Sequence, residues 1–347
     1  MAFTKSDIGC PVRRLITWSI LMVLLFQTCT VLAGFPAWHL DTLEELVNER
    51  LDPVVSPNAI GSHLHDVAGG SGFGAAYNYE TYVNSKCTTS AITVDHSNYW
   101  MPKMFWLNSD GLFTPLLAGR RFYYFLIREN EDIPVAPFPE GLRMLVGNPD
   151  AKSKPDPDTY GYTCLVNRDL STGSISGDTF NFDRDCPYGL KIETYFPSCW
   201  DGVNLYKSDG SHMAYPVLNG GFLLYGLCPY SHPIRVPAIM LEYTWFPNKI
   251  SEAVGVPTKG RLAWANGDTT GYGAHADFVN GWVTSILKEA LEDDTCAGQG
   301  QVEMQVLSIR HLRDLSYEST GPSRLAASSR LTTIPMRPRT VNLTSAH

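Results

Sequence analysis

Charged residues are scarce in this sequence. Asp, Glu, Lys and Arg make up 18% of the 347 residues, and the formal net charge is −8 at pH 7. A nucleic-acid-binding protein neutralises phosphates with a basic surface, so we expect no nucleic-acid partner. Hydrophobic residues make up 44% of the sequence, which is enough for one large globular domain or two ordinary ones.

Several catalytic motifs are also missing. The sequence has no G-x-S-x-G and no H-E-x-x-H motif, so serine-hydrolase and zincin mechanisms lack support. No two cysteines form a C-x-x-C pair, which argues against a zinc ribbon or a thioredoxin-like site. A G-x-G-x-x-A match at residues 70–75 has no apolar strand before it, and we interpret its glycines as turn formers.

The one long apolar run lies at the N-terminus. Basic residues precede an apolar stretch over 15–26, and Val31 and Ala33 are small residues of the kind found before a cleavage site. We predict a signal peptide over 1–33 and a secreted protein in the extracellular space or cell wall, with no stable membrane span after cleavage. An uncleaved signal anchor is the alternative.

Six cysteines would remain after cleavage. An even number in a secreted chain indicates disulfides. Six cysteines allow 15 connectivities, and the sequence does not choose among them. Pairing near neighbours would join Cys164 to Cys186 and Cys199 to Cys228, which leaves Cys87 for Cys296.

The middle of the chain predicts β-structure. Runs such as "RRFYYFLIR" and "PAIMLEYTWF" are short, rich in aromatic and β-branched residues, and separated by Gly, Pro, Asn and Asp. This pattern is typical of a sandwich or barrel with long loops. We therefore predict one mainly β, β-sandwich-like domain over 51–296, with long loops, a few short helices and disulfide bonds.

The flanking segments have a different character. Residues 34–50 form a linker with a helical pattern, in which Leu43, Leu46 and Val47 fall on one face. The stretch "DFVNGWVTSILKEALEDD" predicts a C-terminal helix with Asp277 as its N-cap. Residues 297–347 are rich in Arg, Ser and Thr and predict a disordered tail.

Histidines are the first chemical candidates. His63 and His65 are two residues apart, so in a strand both would project from one face. With His232 from "CPYSHPIRVP" they could bind zinc or copper, the metals that imidazole sites prefer. The alternative is that each histidine forms ordinary structural hydrogen bonds.

Acid–base chemistry is the second possibility. Asp66 and Asp277 could act as acid and base, with His212 and His275 orienting a substrate. Aromatic and polar side chains in two further loops could stack on and bind a sugar: Asn98, Tyr99, Trp100, Trp200 and Asp201. Core packing and turn formation are the alternatives for these residues.

Several motifs together resemble a known family. "SHLHDVAGGSGF", "DHSNYWMPKMFW", "FPSCWDGVNL", "CPYSHPIRVPAIMLE" and "NGDTTGYGAHADFVNGW" are similar, in this order, to the secreted and mostly fungal family called domain of unknown function nineteen-ninety-six. The resemblance covers about residues 51–296. It implies a secreted domain, sometimes joined to a carbohydrate-binding wall module, and implies no reaction. The chain departs from the family at two positions. Family members often have Asn where this chain has Ser71, and often have Cys where it has Ser90.

Three functions follow from these features. The first is an extracellular enzyme or binding protein that acts on cell-wall or plant polysaccharide through a cleft lined by histidines and aspartates. The second is a secreted zinc or copper protein. The third is a non-catalytic cell-wall structural protein.

Overall fold

The computed structural model of the protein describes residues 27–32, 35–42, 44–127, 134–154, 158–167, 174–177, 182–217, 223–292 and 302–304. Within these ranges the helices are α1 (Tyr79–Val83), α2 (Asn248–Val254) and α3 (Thr284–Glu292). The strands are β1 (Gln27–Leu32), β2 (Phe35–Thr42), β3 (Val47–Glu49), β4 (His65–Gly69), β5 (Asn98–Pro102), β6 (Met104–Leu107), β7 (Phe113–Pro115), β8 (Ala118–Phe125), β9 (Arg143–Gly147), β10 (Tyr160–Leu165), β11 (Ser174–Gly177), β12 (Gly189–Tyr195), β13 (Cys199–Trp200), β14 (Met213–Ala214), β15 (Ile234–Arg235), β16 (Ala238–Trp245), β17 (Leu262–Trp264), β18 (His275–Val279) and β19 (Val302–Met304).

The largest sheet is antiparallel and has eight strands in the order β11-β10-β12-β16-β8-β2-β1-β19. Strands β8 and β16 pair over their full length, and their aromatic residues Phe122, Tyr124 and Tyr243 lie in the main hydrophobic core. Two three-stranded sheets, β14-β13-β15 and β17-β6-β7, complete the β-structure around this core. The mainly β, disulfide-bonded fold predicted from the sequence is confirmed.

A second, five-stranded antiparallel sheet bears the residues of the candidate functional site. Its order is β3-β4-β5-β18-β9. Because side chains alternate along a strand, this sheet has two different faces. We call one the core face, because its side chains join the main core: Ala68, Tyr99, Met101, Met144, Val146, Ala276 and Phe278. We call the other the site face, and its register brings together His65, Val67, Trp100, Arg143, Leu145, His275 and Asp277.

The helix predicted within 34–50 is wrong. Residues 35–42 form β2, which pairs with β8, and Val47–Glu49 form β3, which pairs with β4. Leu40 is fully buried in the main core as part of the large sheet. The apolar spacing fits a helix, but the segment pairs with neighbouring strands instead, and tertiary contacts override local propensity.

The C-terminal helix begins later than predicted. Asp277 is the central residue of β18, where it lies opposite Trp100 and Leu145, so it is not an N-cap. The helix itself, α3, covers the last part of the predicted segment and buries Leu287 and Leu291. The first residues of that segment are strand because β18 fills the place between β5 and β9.

Two of the predicted disulfides are confirmed: Cys164 with Cys186 and Cys199 with Cys228. Cys87 is also disulfide-bonded, and Cys296, its predicted partner, lies outside the described residues. Of the predicted signal peptide and tail, only β1 and β19 are described, and these two strands pair with each other. No helix in the described ranges is long and apolar enough to cross a membrane.

Candidate metal centre

Three histidines meet at the edge of the site face. His63 lies in the loop just before β4, while His65 and His275 are the first residues of β4 and β18. All three are buried, and their candidate ligand nitrogens lie within 4.8 Å of one another. Nitrogens bound to one tetrahedral ion at about 2.0–2.1 Å are about 3.4 Å apart. The most widely separated pair would therefore have to close by up to about 1.4 Å to bring all three imidazoles onto one ion.

Backbone carbonyls fix the tautomers of two of these rings. His65 Nδ1 is 2.9 Å from the carbonyl oxygen of Leu51, and His275 Nδ1 is 2.9 Å from that of Gly273. A carbonyl oxygen only accepts hydrogen bonds, so both Nδ1 atoms carry the proton and both Nε2 atoms present a lone pair. The Nε2 of His65 is buried without a hydrogen-bond partner among the described residues. Metal-binding histidines are oriented in this way by their second nitrogen.

The third ring, His63, has an adaptable partner. Its Nε2 is 2.9 Å from His275 Nε2, and its Nδ1 is 2.8 Å from the Ser62 hydroxyl. Because His275 Nε2 offers a lone pair, His63 Nε2–H donates to it and His63 Nδ1 accepts from Ser62. If the Ser62 hydroxyl turns, it can instead accept from His63 Nδ1–H. His63 Nε2 then offers a lone pair as well, 2.9 Å from His275 Nε2.

Burial keeps all three rings neutral. Loss of water lowers the pKa of His63 to about 2, with further repulsion from His65 and His275. Burial likewise lowers the pKa of His65 to about 3 and that of His275 to about 4. Metal ions bind the neutral imidazole, so at pH 7 the three rings are in the required form.

Asp277 adds a buried carboxyl to the same face. It lies two residues from His275 and is 1% exposed, and its Oδ1 has no hydrogen-bond partner among the described residues. Burial raises the pKa of Asp277 well above its usual range, and the nearby Asp52 carboxylate raises it further. Asp277 therefore lies on the site face, and its predicted role as acid or base stays a prediction. Among the described residues, the group of potential metal ligands consists of the three histidines.

Asp66, by contrast, does not line this site. Its Oδ1 and Oδ2 accept hydrogen bonds of 2.6 Å from Arg120 Nε and Nη2, and Lys103 Nζ donates to Oδ2 at 2.8 Å. Burial alone would raise the pKa of Asp66, but the two cations outweigh burial and lower it. The prediction that Asp66 lines a cleft with the histidines is wrong. Asp66 follows His65 directly in the strand, so its side chain projects to the opposite face of the sheet.

His212 and His232 are also elsewhere. His212 Nε2 donates to the Arg143 carbonyl at 2.7 Å, and its Nδ1 accepts from the Lys207 backbone N–H at 3.2 Å. His232 Nε2 donates to the Ser211 carbonyl at 3.0 Å. Both histidines hold the loop around residue 210 in place. The predicted ligand set of His63, His65 and His232 is thus corrected to His63, His65 and His275.

The predicted sugar-stacking motif on β5 is buried. Asn98, Tyr99 and Trp100 are each 0% exposed, so no sugar can stack on them. Asn98 donates to the carbonyls of Ala68 and Gly70. The Tyr99 ring belongs to the main core, whereas the Trp100 ring, on the site face, packs on Phe73.

The second predicted sugar motif forms a turn. Trp200 is partly buried, and its Nε1–H donates to the Asn204 carbonyl at 2.7 Å. Asp201 Oδ1 accepts from the backbone N–H groups of Val203 and Asn204, which is ordinary turn chemistry. The alternative interpretation of these residues, as structural, fits the geometry.

Two residues near the site went unnoticed in the sequence. Ser62 precedes the H-x-H pair directly, and a hydroxyl beside a candidate ligand is a signal that could have identified it. Arg143 opens β9 and lies opposite Val279 on the site face. No local signal marks Arg143, because its importance depends on which strands pair.

The fold and these residues define a mainly β protein with a candidate three-histidine metal centre. The chain belongs to the family described as Domain of unknown function (DUF1996), whose profile matches residues 52–282. The matched range contains all three histidines, and the family membership predicted from the sequence is confirmed. No curated protein and no solved structure matches the chain.

Proposed function

We propose that this protein is a metalloprotein that binds one zinc or copper ion through His63, His65 and His275. The proposal depends on one observation above all: three buried histidines place their candidate ligand nitrogens within 4.8 Å of one another, and backbone carbonyls fix the tautomers of two of them. Imidazole-only ligand sets are typical of zinc and copper sites.

The number of ligands favours a reactive site over a structural one. Structural zinc sites have four protein ligands, whereas catalytic sites have three and keep a position open for water or substrate. A metal ion in such a position activates a bound water or polarises an oxygen of the substrate. The role of this chain would be to hold three neutral imidazoles and to present Asp277 and Arg143 on the same face.

The polysaccharide hypothesis draws less support from the geometry. Its acid–base pair, Asp66 and Asp277, projects to opposite faces of the sheet, and Asp66 is held by two cations. A carbohydrate or cell-wall partner therefore remains a prediction that depends on the sequence alone. We also propose an extracellular location, which the signal-like N-terminus and the buried disulfides support.

Metal analysis of purified protein tests the proposal. The protein is stripped with a chelator, reloaded separately with zinc and with copper, and assayed by mass spectrometry. We expect about one equivalent in wild type and in the control His232→Ala, and less than about a tenth of that in His63→Ala and His275→Ala. Wild type that takes up neither metal, or His275→Ala that keeps a full equivalent, would contradict it.

A further inference from the structure

We infer that Asn266 is a positioning residue of the proposed metal centre, which sets the affinity for the metal by holding the Gly273 carbonyl that orients His275. Asn266 acts through the backbone, because its amide nitrogen bonds to carbonyl oxygens. Its effect on metal binding rests on the proposed function, whereas its effect on the His275 ring is independent of any metal.

The Gly273 carbonyl is shared by Asn266 and His275. It accepts from Asn266 Nδ2 at 3.0 Å and from His275 Nδ1–H at 2.9 Å. A backbone carbonyl oxygen has two lone pairs, so these two donors use its full accepting capacity. The direction of this one carbonyl therefore decides where the Nδ1–H of His275 points, and with it where the Nε2 lone pair points.

The Asn266 amide is itself fixed at both ends. Its Nδ2 also donates to the Pro149 carbonyl at 3.0 Å, and its Oδ1 accepts from the Asp268 N–H at 3.1 Å. Both partners of Nδ2 can only accept and the partner of Oδ1 can only donate, so the orientation of the amide is defined. Asn266 thus joins the turn after β9 to the loop that leads into β18.

Gly273 is held on its other side as well. Its N–H donates to Asp268 Oδ2 at 2.8 Å. A Cβ atom on Gly273 would lie 2.8 Å from Asn266 Nδ2 and 2.9 Å from the Pro149 carbonyl oxygen, which is closer than side chains approach in proteins. The stretch "NGDTTGYGAH" therefore has a role in the site, which is to hold the peptide of Gly273 in one orientation.

A different segment holds the other two imidazoles. His65 Nδ1–H donates to the Leu51 carbonyl at 2.9 Å. Next to Leu51, Arg50 Nε donates to the Gly61 carbonyl at 2.9 Å, two residues before His63. Loss of the contact that holds the third ring should therefore disturb one ligand and leave two in place.

His275 has a competing tautomer that the Gly273 carbonyl disfavours. His275 Nε2 lies 2.9 Å from His63 Nε2, so a proton on His275 Nε2 would donate to a lone pair on His63. In that tautomer His275 Nε2 offers no lone pair to a metal. A fixed acceptor at Nδ1 selects the tautomer that a metal needs, and changes in such supporting groups weaken metal binding by about 10–100-fold.

Zinc competition titration of the folded protein tests the inference. Asn266→Ala removes the amide, and Gly273→Ala displaces it from the other side. We expect zinc affinity to fall by about 10-fold or more in both variants. The control is Asn108→Ala, whose Nδ2 donates to the Thr114 hydroxyl at the other end of the β6–β17 pair, and it should bind zinc as wild type does.

Urea unfolding of each metal-free variant separates positioning from stability. A residue that only stabilises the fold changes the unfolding midpoint and leaves the zinc affinity of the folded protein unchanged. Asn266→Ala should therefore lose zinc affinity under conditions in which it is fully folded.

Nitrogen NMR of metal-free, histidine-labelled protein reports the ring directly. The two nitrogens of a neutral imidazole are distinct, and their shifts show which one carries the proton. The His275 signals, assigned by their loss in His275→Ala, should show one tautomer with the proton on Nδ1 in wild type and in Asn108→Ala. Asn266→Ala should show a mixture of the two tautomers.

Wild-type zinc affinity in both Asn266→Ala and Gly273→Ala would overturn the inference and leave the metal centre intact. So would an equal loss of affinity in Asn108→Ala. If wild type binds neither zinc nor copper but Asn266→Ala changes the His275 tautomer, Asn266 positions the ring and the metal centre falls. If the tautomer is also unchanged, both fall.

Discussion

His65 and Asp66 are neighbours in the chain, yet they project to opposite faces of one sheet and into opposite surroundings. On the core face, Asp66 is ion-paired to Arg120 and Lys103, and every charge has a partner. On the site face, His65 Nε2 and Asp277 Oδ1 are also buried, and neither has a hydrogen-bond partner among the residues that the structure describes. Burial of polar groups therefore does not distinguish the core face from the site face. The Asp66–Arg120 ion pair connects β4 of one sheet to β8 of another, whereas the two groups on the site face flank the proposed metal centre.

The largest expected effect is on the core face. Asp66→Asn leaves Arg120 and Lys103 buried without their counter-ion, although Glu45 stays near both. Removal of one member of a buried ion pair costs about 3–5 kcal/mol. Urea unfolding of metal-free protein at pH 7 should show that loss.

The matched variant on the site face is Asp277→Asn. Its carboxyl has a raised pKa and no cationic partner, so we expect a change below about 1 kcal/mol in the same experiment. Similar losses of stability in the two variants would break the comparison between the faces.

A second carboxyl beneath the core face has hydroxyl partners in place of cations. Burial raises the pKa of Asp95 to about 6, although hydrogen bonds from Tyr99 and Ser97 act in the opposite direction. The unfolded chain loses this proton near pH 4 and the folded protein near pH 6. The contribution of Asp95 to stability should therefore be present below about pH 4 and fall by up to about 1.4 kcal/mol per pH unit up to pH 6.

Unfolding free energies at pH 4, 5 and 6 check this slope. The difference between Asp95→Asn and wild type should change with pH in favour of the variant. Asp110→Asn, at a surface turn, serves as the control and should show no such change. Parallel pH profiles for wild type and Asp95→Asn would show that folding does not raise the pKa of Asp95.

A further expected effect concerns Ser62 and metal affinity alone. Its hydroxyl is the partner of His63 Nδ1 at 2.8 Å, and it must turn when His63 Nε2 binds a metal. Loss of such a supporting hydrogen bond weakens metal binding by about 10–100-fold. Ser62 is exposed, so water can partly replace it and we expect about 10-fold for Ser62→Ala.

Competition titration with a chromophoric zinc chelator measures this change. Ser62→Thr keeps the hydroxyl and should bind zinc as wild type does. Wild-type affinity in Ser62→Ala would show that His63 needs no partner at Nδ1.

The sequence predicted two of the three histidines in the candidate metal centre. The H-x-H spacing brought His63 and His65 to one side, and the glycine-rich motif around His275 marked a polar site. The third ligand could not be assigned, because His275 lies 212 positions from His63 and meets it only through the order of β4, β5 and β18. His232 has the same local features, and only strand pairing distinguishes the two.

The fold class was predictable for a different reason. Short aromatic runs divided by turn residues occur throughout the domain. Each run is a weak indication of a strand, but many of them together predict a mainly β fold. Individual elements were less certain: the apolar positions near Leu46 fit a helix and a strand alike. The two near-neighbour disulfides could be predicted from the sequence, because Cys164 and Cys186 are only 22 residues apart and Cys199 and Cys228 only 29.

X-ray absorption at the metal edge tests the central claim most directly. Zinc-loaded wild type should show three imidazole nitrogens at about 2.0–2.1 Å and one further light ligand. His275→Ala, loaded at high zinc concentration, should show one imidazole fewer, and His232→Ala should match wild type. A zinc ion without imidazole neighbours, or one that loses an imidazole in His232→Ala but not in His275→Ala, would contradict the proposed centre.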